Sequence, residues 1–179
     1  MAELYFYDAD DEHIAQEARN QGEGEANLVL RGITSYRQAL NILDGFIRQR
    51  RRFQGIYFNT HGSPGEVYLP NGSLTTGNVH ELSSRRAVLE DDARVLFMGC
   101  SVADTNAGWR FLDAVGRTFL SNGFVGGANV STFGGRGGLF EARLPKWGLL
   151  RIVQVRAGQV VRHSEYGTLL ARFIRWLRE

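Results

Sequence analysis

Apolar positions along the chain alternate between short continuous runs and three-to-four-residue spacing, a pattern that predicts strands followed by helices. Leu4–Tyr7 is an aromatic-rich run stopped by Asp8, Ala9, Asp10 and Asp11, and it reads as a strand. His13–Gln21 reads as a short helix, Gly22-Glu23-Gly24 as a loop and Asn27–Ile33 as a second strand. Tyr36, Ala39, Leu40, Leu43, Phe46 and Ile47 then recur at helical spacing, with Thr34 or Ser35 available as the N-cap. Phe53–Asn59 predicts a third strand that runs straight into Thr60-His61-Gly62-Ser63-Pro64-Gly65. Glu66–Leu69 and Ser73–Thr76 predict a hairpin turned at Asn71-Gly72.

A polar, helix-like segment over Val79–Leu89 leads to a fourth strand, Arg94–Met98, which ends at Gly99-Cys100-Ser101. Trp109, Leu112, Val115 or Ala114, and Phe119 mark an amphipathic helix closing near Asn122-Gly123. Phe124–Thr132 is expected as a fifth strand, and Gly134–Gly138 as a loop beside the active face with Arg136 a candidate processing position. Leu139–Leu144 and Leu149–Val155 are expected as a further strand pair. Gly167–Leu177 reads as a terminal helix with Leu169, Leu170, Phe173, Ile174 and Leu177 on its inner side. Strands and helices in this alternation predict an α/β fold, with a mostly parallel central sheet and helices on both faces. There is no internal repeat or low-complexity linker, so residues 1–179 are expected to form a single domain. A chain of this length buries about 70% of its unfolded surface.

Composition narrows the function classes. A chain 43% hydrophobic and 22% charged is not a disordered tail. The 21 basic and 19 acidic residues leave a net charge of +2, too small to make nucleic acid the expected partner. Arg48, Arg50, Arg51 and Arg52 read as a solvated helix end that complements the helix dipole. No basic segment followed by an apolar stretch opens the chain, and no run reaches the roughly 20 apolar residues of a membrane span. A cytoplasmic protein with no membrane partner is expected. The single cysteine, Cys100, excludes an intramolecular disulfide, a multi-cysteine zinc site and an iron–sulfur cluster, and it fits a reducing compartment. Four histidines without an i, i+4 pair offer no metal-ligand spacing, and the Gly134–Gly138 run lacks the lysine of a phosphate loop. Neither a metal nor another cofactor is expected.

The chemistry-bearing residues are His61 and Cys100, each just beyond the carboxyl end of an apolar strand in a glycine-containing turn. In an open parallel sheet, ligands bind in the crevice outside those strand ends. A cysteine is a nucleophile as its thiolate, and an imidazole nearby can take the proton or stabilise the anion. Gly62 and Gly99 allow close backbone approach, and the adjacent N–H groups are candidates for holding an oxyanion. His80, in the polar segment between the two turns, is a candidate substrate-side group, whereas His13 and His163 read as surface residues. The structural alternatives are a small buried hydrophobe for Cys100 and a plain turn for His61-Gly62.

The segments Tyr57-Phe58-Asn59-Thr60-His61-Gly62-Ser63-Pro64-Gly65 and Val95-Leu96-Phe97-Met98-Gly99-Cys100-Ser101-Val102-Ala103 resemble the His-Gly and Gly-Cys blocks of the caspase-like (clan CD) cysteine peptidases. The likeness is greatest to a bacterial branch with HGSPG and GCxVA blocks, whose later strand motif is matched here by Gly127-Ala128-Asn129-Val130-Ser131. It covers about Ile56 to Thr132. It implies a caspase-like three-layer sandwich with His61 as general acid/base, Cys100 as nucleophile, and the N–H groups of Gly62 and Cys100 as the oxyanion hole. Met98-Gly99 departs from the Gln-Ala pair or acid that relatives place before the nucleophile, so the resemblance leaves the specificity pocket unassigned. Asp8, Asp10 and Ser131 are candidate substrate-binding residues.

The implied function is a cysteine endopeptidase with a His/Cys dyad and no evident orienting acid, cleaving a partner protein or itself. The alternatives are a catalytically silent caspase-like binding or signalling module, and another thiol hydrolase or acyltransferase. The expected partner is a protein or peptide substrate, and the oligomeric state is open.

Overall fold

A computed structural model describes residues 2–22, 25–129 and 149–167. Along the chain lie β1 (Glu3–Asp8), α1 (Glu12–Gly22), β2 (Leu28–Ile33), α2 (Tyr36–Arg48), β3 (Phe53–Asn59), β4 (His61–Ser63), β5 (Glu66–Tyr68), β6 (Leu74–Thr75), a 3₁₀ segment (Val79–Val88), β7 (Leu89–Phe97), α3 (Thr105–Phe119), β8 (Gly123–Ala128), β9 (Leu149–Arg156) and β10 (Gln159–Gly167). Seven strands form one sheet in the order β10-β9-β8-β7-β3-β1-β2. The five strands from β2 to β8 pair in parallel, and β9 and β10 add antiparallel. A small antiparallel sheet, β4-β5-β6, stands at the end of β3.

The continuous apolar runs of the inner strands follow from burial on both faces. Successive residues point to opposite sides of a strand, so Phe6, Phe58 and Phe97 face one layer while Tyr5, Tyr57 and Leu96 face the other. The first layer holds α2, the 3₁₀ segment and α3, packed through residues such as Leu40, Leu43, Leu82, Phe111 and Val115. The second holds α1, whose Ala18 meets Tyr5 and Tyr57. This is the mostly parallel α/β sandwich, with helices on both faces, that the hydrophobic pattern predicts.

Just below the carboxyl edge a row of phenylalanines crosses the sheet. Phe6 pairs in register with Phe58 and Phe58 with Phe97. Their rings stack at 5.0 and 5.3 Å, and Phe111 of α3 meets Phe97 edge-on at 5.0 Å. Burying each such side chain is worth about 1.5–3 kcal/mol, with ring geometry adding to it. The row gives the loops that follow β1, β3 and β7 a rigid base.

The caps follow the sequence. The Ser35 side chain accepts the Gln38 N–H at 3.1 Å to start α2, and Asp104 caps α3 by accepting the Thr105 N–H. The basic end of α2, Arg48 with Arg50, Arg51 and Arg52, is exposed to solvent as expected. The Arg51 guanidinium stacks over Phe46 and Phe53, at 5.6 and 5.2 Å from the ring centres, and Arg52 pairs with Glu90. Three expectations change. The segment after Val79 is 3₁₀ rather than α-helical, the strand opened by Gly123 ends at Ala128, and Gly167 closes a strand that the sequence pattern did not predict. Residues 130–148 and 168–179 lie outside the described residues. With them go Ser131, the Gly134–Gly138 run with Arg136, the Leu139–Leu144 strand and nearly all of the terminal helix. Among the described residues, no helix is long and apolar enough to cross a membrane.

Candidate active site

The ends of β3 and β7 are neighbours because those strands pair in parallel, with Phe58 level with Phe97. His61 and Cys100 each lie three residues past that pair, so the sheet delivers both turns to one edge. The turns then pack backbone to backbone. A Cβ at Gly99 would stand 3.0 Å from the carbonyl oxygens of both Thr60 and His61. One at Gly62 would overlap Val102 Cγ2 and stand 2.9 Å from the Glu66 carbonyl and 3.4 Å from that of Cys100. A side chain at Gly62 would force its neighbours to shift, and one at Gly99 would be tighter than an ordinary contact against backbone. Two hydrogen bonds add to it, Met98 N–H to the Phe58 carbonyl at 2.8 Å and Gly65 N–H to the Val102 carbonyl at 2.9 Å.

Cys100 is a free, half-buried thiol. Ser101, the next residue, sits in the left-handed region at φ +56°, a conformation that costs a non-glycine residue about 1–2 kcal/mol. The surroundings hold that turn in place. Asp104 N–H donates to the Ser101 carbonyl at 2.8 Å, and Ala103 N–H to the Ala128 carbonyl at 3.0 Å. Arg151 Nη1 donates to the carbonyls of Ala103 and Thr105, both at 2.8 Å, while its Nε pairs with Glu165 and its guanidinium lies over Trp109. The backbone N–H of Cys100 makes no hydrogen bond with another described residue.

His61 begins β4, level with Tyr68 of β5. No side-chain hydrogen bond joins His61 to Cys100. Instead, His61 Nε2 lies 2.8 Å from Asp11 Oδ2, the two side chains being 56% and 29% exposed. Asp11 also caps α1, its Oδ1 accepting the Ile14 N–H at 2.9 Å. The Ile14 N–H first, and the His61 ring second, hold the Asp11 carboxyl below its ordinary pKa. The sequence reading foresaw no acid at His61. An Asp three residues before Ile14 at the start of a helix was a legible N-cap signal, but nothing in the pattern tied it to His61.

Asp8 is 6% exposed and its Oδ1 accepts the Asp10 N–H at 3.0 Å, so it closes the turn after β1. Asp10 is exposed. His80 lies in the 3₁₀ segment, with Nδ1 donating to the Gly77 carbonyl at 3.1 Å. His163 pairs with Asp113 at 2.7 Å, edge-on to Trp109. A groove of about 760 Å³ is lined by Trp109 and residues 162–166 and includes neither His61 nor Cys100. Among the described residues, no three His, Cys, Asp or Glu side chains cluster so as to hold a metal ion.

A family model described as a domain of unknown function, DUF4347, matches residues 10–122, a span containing Asp11, His61 and Cys100. No curated protein matches the chain. Among solved structures the chain is similar to a secreted C11 cysteine protease from Bacteroides thetaiotaomicron in complex with an irreversible peptide inhibitor. The identity is 11% and the TM-score 0.47, over 86% of this chain and 66% of that one.

Proposed function

The chain belongs to the DUF4347 family, and we propose that it is a cysteine endopeptidase acting through His61 and Cys100. The Cys100 thiolate attacks the scissile carbonyl, and the N–H groups of Gly62 and Cys100 bind the oxyanion that forms. His61 protonates the leaving amine, then takes a proton from the water that hydrolyses the thioester. The observation that carries this reading is the mutual approach of the two turns, Gly99 against the Thr60 and His61 carbonyls and Gly62 against that of Cys100. The likeness of both blocks to clan CD peptidases supports it from the sequence.

The finer terms belong to the same proposal. Residues 1–179 act as one domain on a protein or peptide, with restricted cleavage of a partner or of the chain itself. Asp8 and Asp10, with Ser131 from outside the described residues, are the candidate substrate-binding residues of this proposal. Asp10, exposed while the Asp8 carboxylate is engaged, favours a basic residue before the cut. The lone thiol fits a cytoplasmic site of action, unlike the similar Bacteroides protein, which is described as secreted.

The test compares the purified protein with Cys100→Ala on a peptide library varied at the position before the cut. Cleavage by the first and none by the second is the expected result. If no peptide and no active-site thiol probe distinguishes the two proteins, the peptidase reading fails and the silent binding module replaces it. Turnover of small esters or thioesters alone would favour another thiol hydrolase.

A further inference from the structure

We propose that Asp11 is a positioning residue, which holds His61 in the tautomer that leaves Nδ1 free to accept a proton and so makes the His/Cys pair a three-residue arrangement. The inference rests on the reading of His61 and Cys100 just given.

The topology brings the two residues together. α1 carries the chain from β1 to β2 over one face of the sheet, and α2 carries it back over the other face to β3, on the far side of β1. The strand order therefore reverses between β1 and β3, and a crevice opens at such a point outside the carboxyl ends. Tyr7 of β1 is level with Asn59 of β3. Asp11 follows the first by four residues and His61 follows the second by two.

The carboxylate is fixed from both ends. Oδ1 is held by the Ile14 N–H at the positive start of α1, which leaves Oδ2 directed at the imidazole, 2.8 Å from Nε2. An ionised carboxylate only accepts hydrogen bonds, so Nε2 must carry the proton of this contact, and in the neutral ring Nδ1 then keeps its lone pair. Two neighbouring polar groups are engaged elsewhere. Asp8 is turned to the Asp10 amide, and Tyr68, level with His61 across the small sheet, gives its hydroxyl to Ser63 at 2.8 Å. A half-exposed pair contributes little to stability. The value of this contact is the choice of ring nitrogen.

Two substitutions separate the roles. In Asp11→Asn the Ile14 N–H still needs an oxygen, so the amide oxygen stays there and the NH₂ turns to His61. It then donates to Nε2 and drives the ring proton to Nδ1. Asp11→Ser keeps a good N-cap but is too short to reach the ring.

The expected ¹⁵N spectra of the His61 ring show the Nε2–H tautomer in the wild type, the Nδ1–H tautomer in Asp11→Asn and a mixture in Asp11→Ser. Both variants are expected to stay folded with only a slightly lower thermal midpoint, because a half-exposed pair contributes little. Both should lose about tenfold in kcat with KM little changed, well short of the ~10⁴ seen for a buried triad acid. An unchanged tautomer in Asp11→Asn, or an unchanged kcat beside an active wild type, overturns the proposal. A tautomer switch in a wild type that cleaves no peptide instead sinks the peptidase reading and leaves the Asp11 contact standing.

Discussion

At position 11 one carboxylate serves two donors, a helix start and an imidazole. Both favour its charged form, so folding lowers its pKa below the ordinary 3.8. The sign of the pH effect follows. The unfolded chain takes up this proton at a higher pH than the folded one does. The stabilisation is therefore complete above 3.8 and is lost as the pH falls through the lower, folded value. Asp11→Ser caps α1 without titrating. In urea melts from about pH 5 to about pH 2, the stability of the wild type should fall relative to that of Asp11→Ser; a difference independent of pH would contradict the assignment. Residue-level legibility was uneven for a physical reason. His61 and Cys100 could be picked out because an apolar run ending in a glycine turn is a local pattern. The Asp11–His61 contact spans 50 residues and exists only because β3 returns to the far side of β1.

Among the elements, the parallel strands were legible where both faces are buried. Phe53–Asn59 carries Phe53 and the run Ile56-Tyr57-Phe58, and the matching strand has just those bounds. β10 was not legible. On its helix-side face His163 and Glu165 pair with Asp113 and Arg151 instead of packing in an apolar layer, and Arg162 and Ser164 lie on the other face. Polar residues on both faces erase the two-residue hydrophobic period by which a strand is read. The junction of β3 and β7 offers a direct check of the element packing. Gly99→Ala places a methyl 3.0 Å from two backbone carbonyl oxygens and 3.1 Å from Val102 Cγ2, and backbone cannot move aside as a flexible side chain would. It should lower stability in denaturant unfolding by about 1–3 kcal/mol. An unchanged midpoint would mean that the two turns are not in contact.

For the molecule as a whole, the alternation of apolar runs was enough to predict an α/β sheet with helices on both faces. It was silent on strand order, which decides what meets at the carboxyl edge. The row Phe6, Phe58, Phe97 and Phe111 ties β1, β3, β7 and α3 into one base beneath the loops that carry Asp11, His61 and Cys100. Because the chain has a single cysteine, its thiol chemistry can be read without background. The most direct measurement is the rate at which iodoacetamide alkylates Cys100 near neutral pH, in the wild type and in His61→Ala. If His61 activates the thiol, the wild type should react about tenfold faster than the variant. Equal rates in two equally folded proteins would contradict the account.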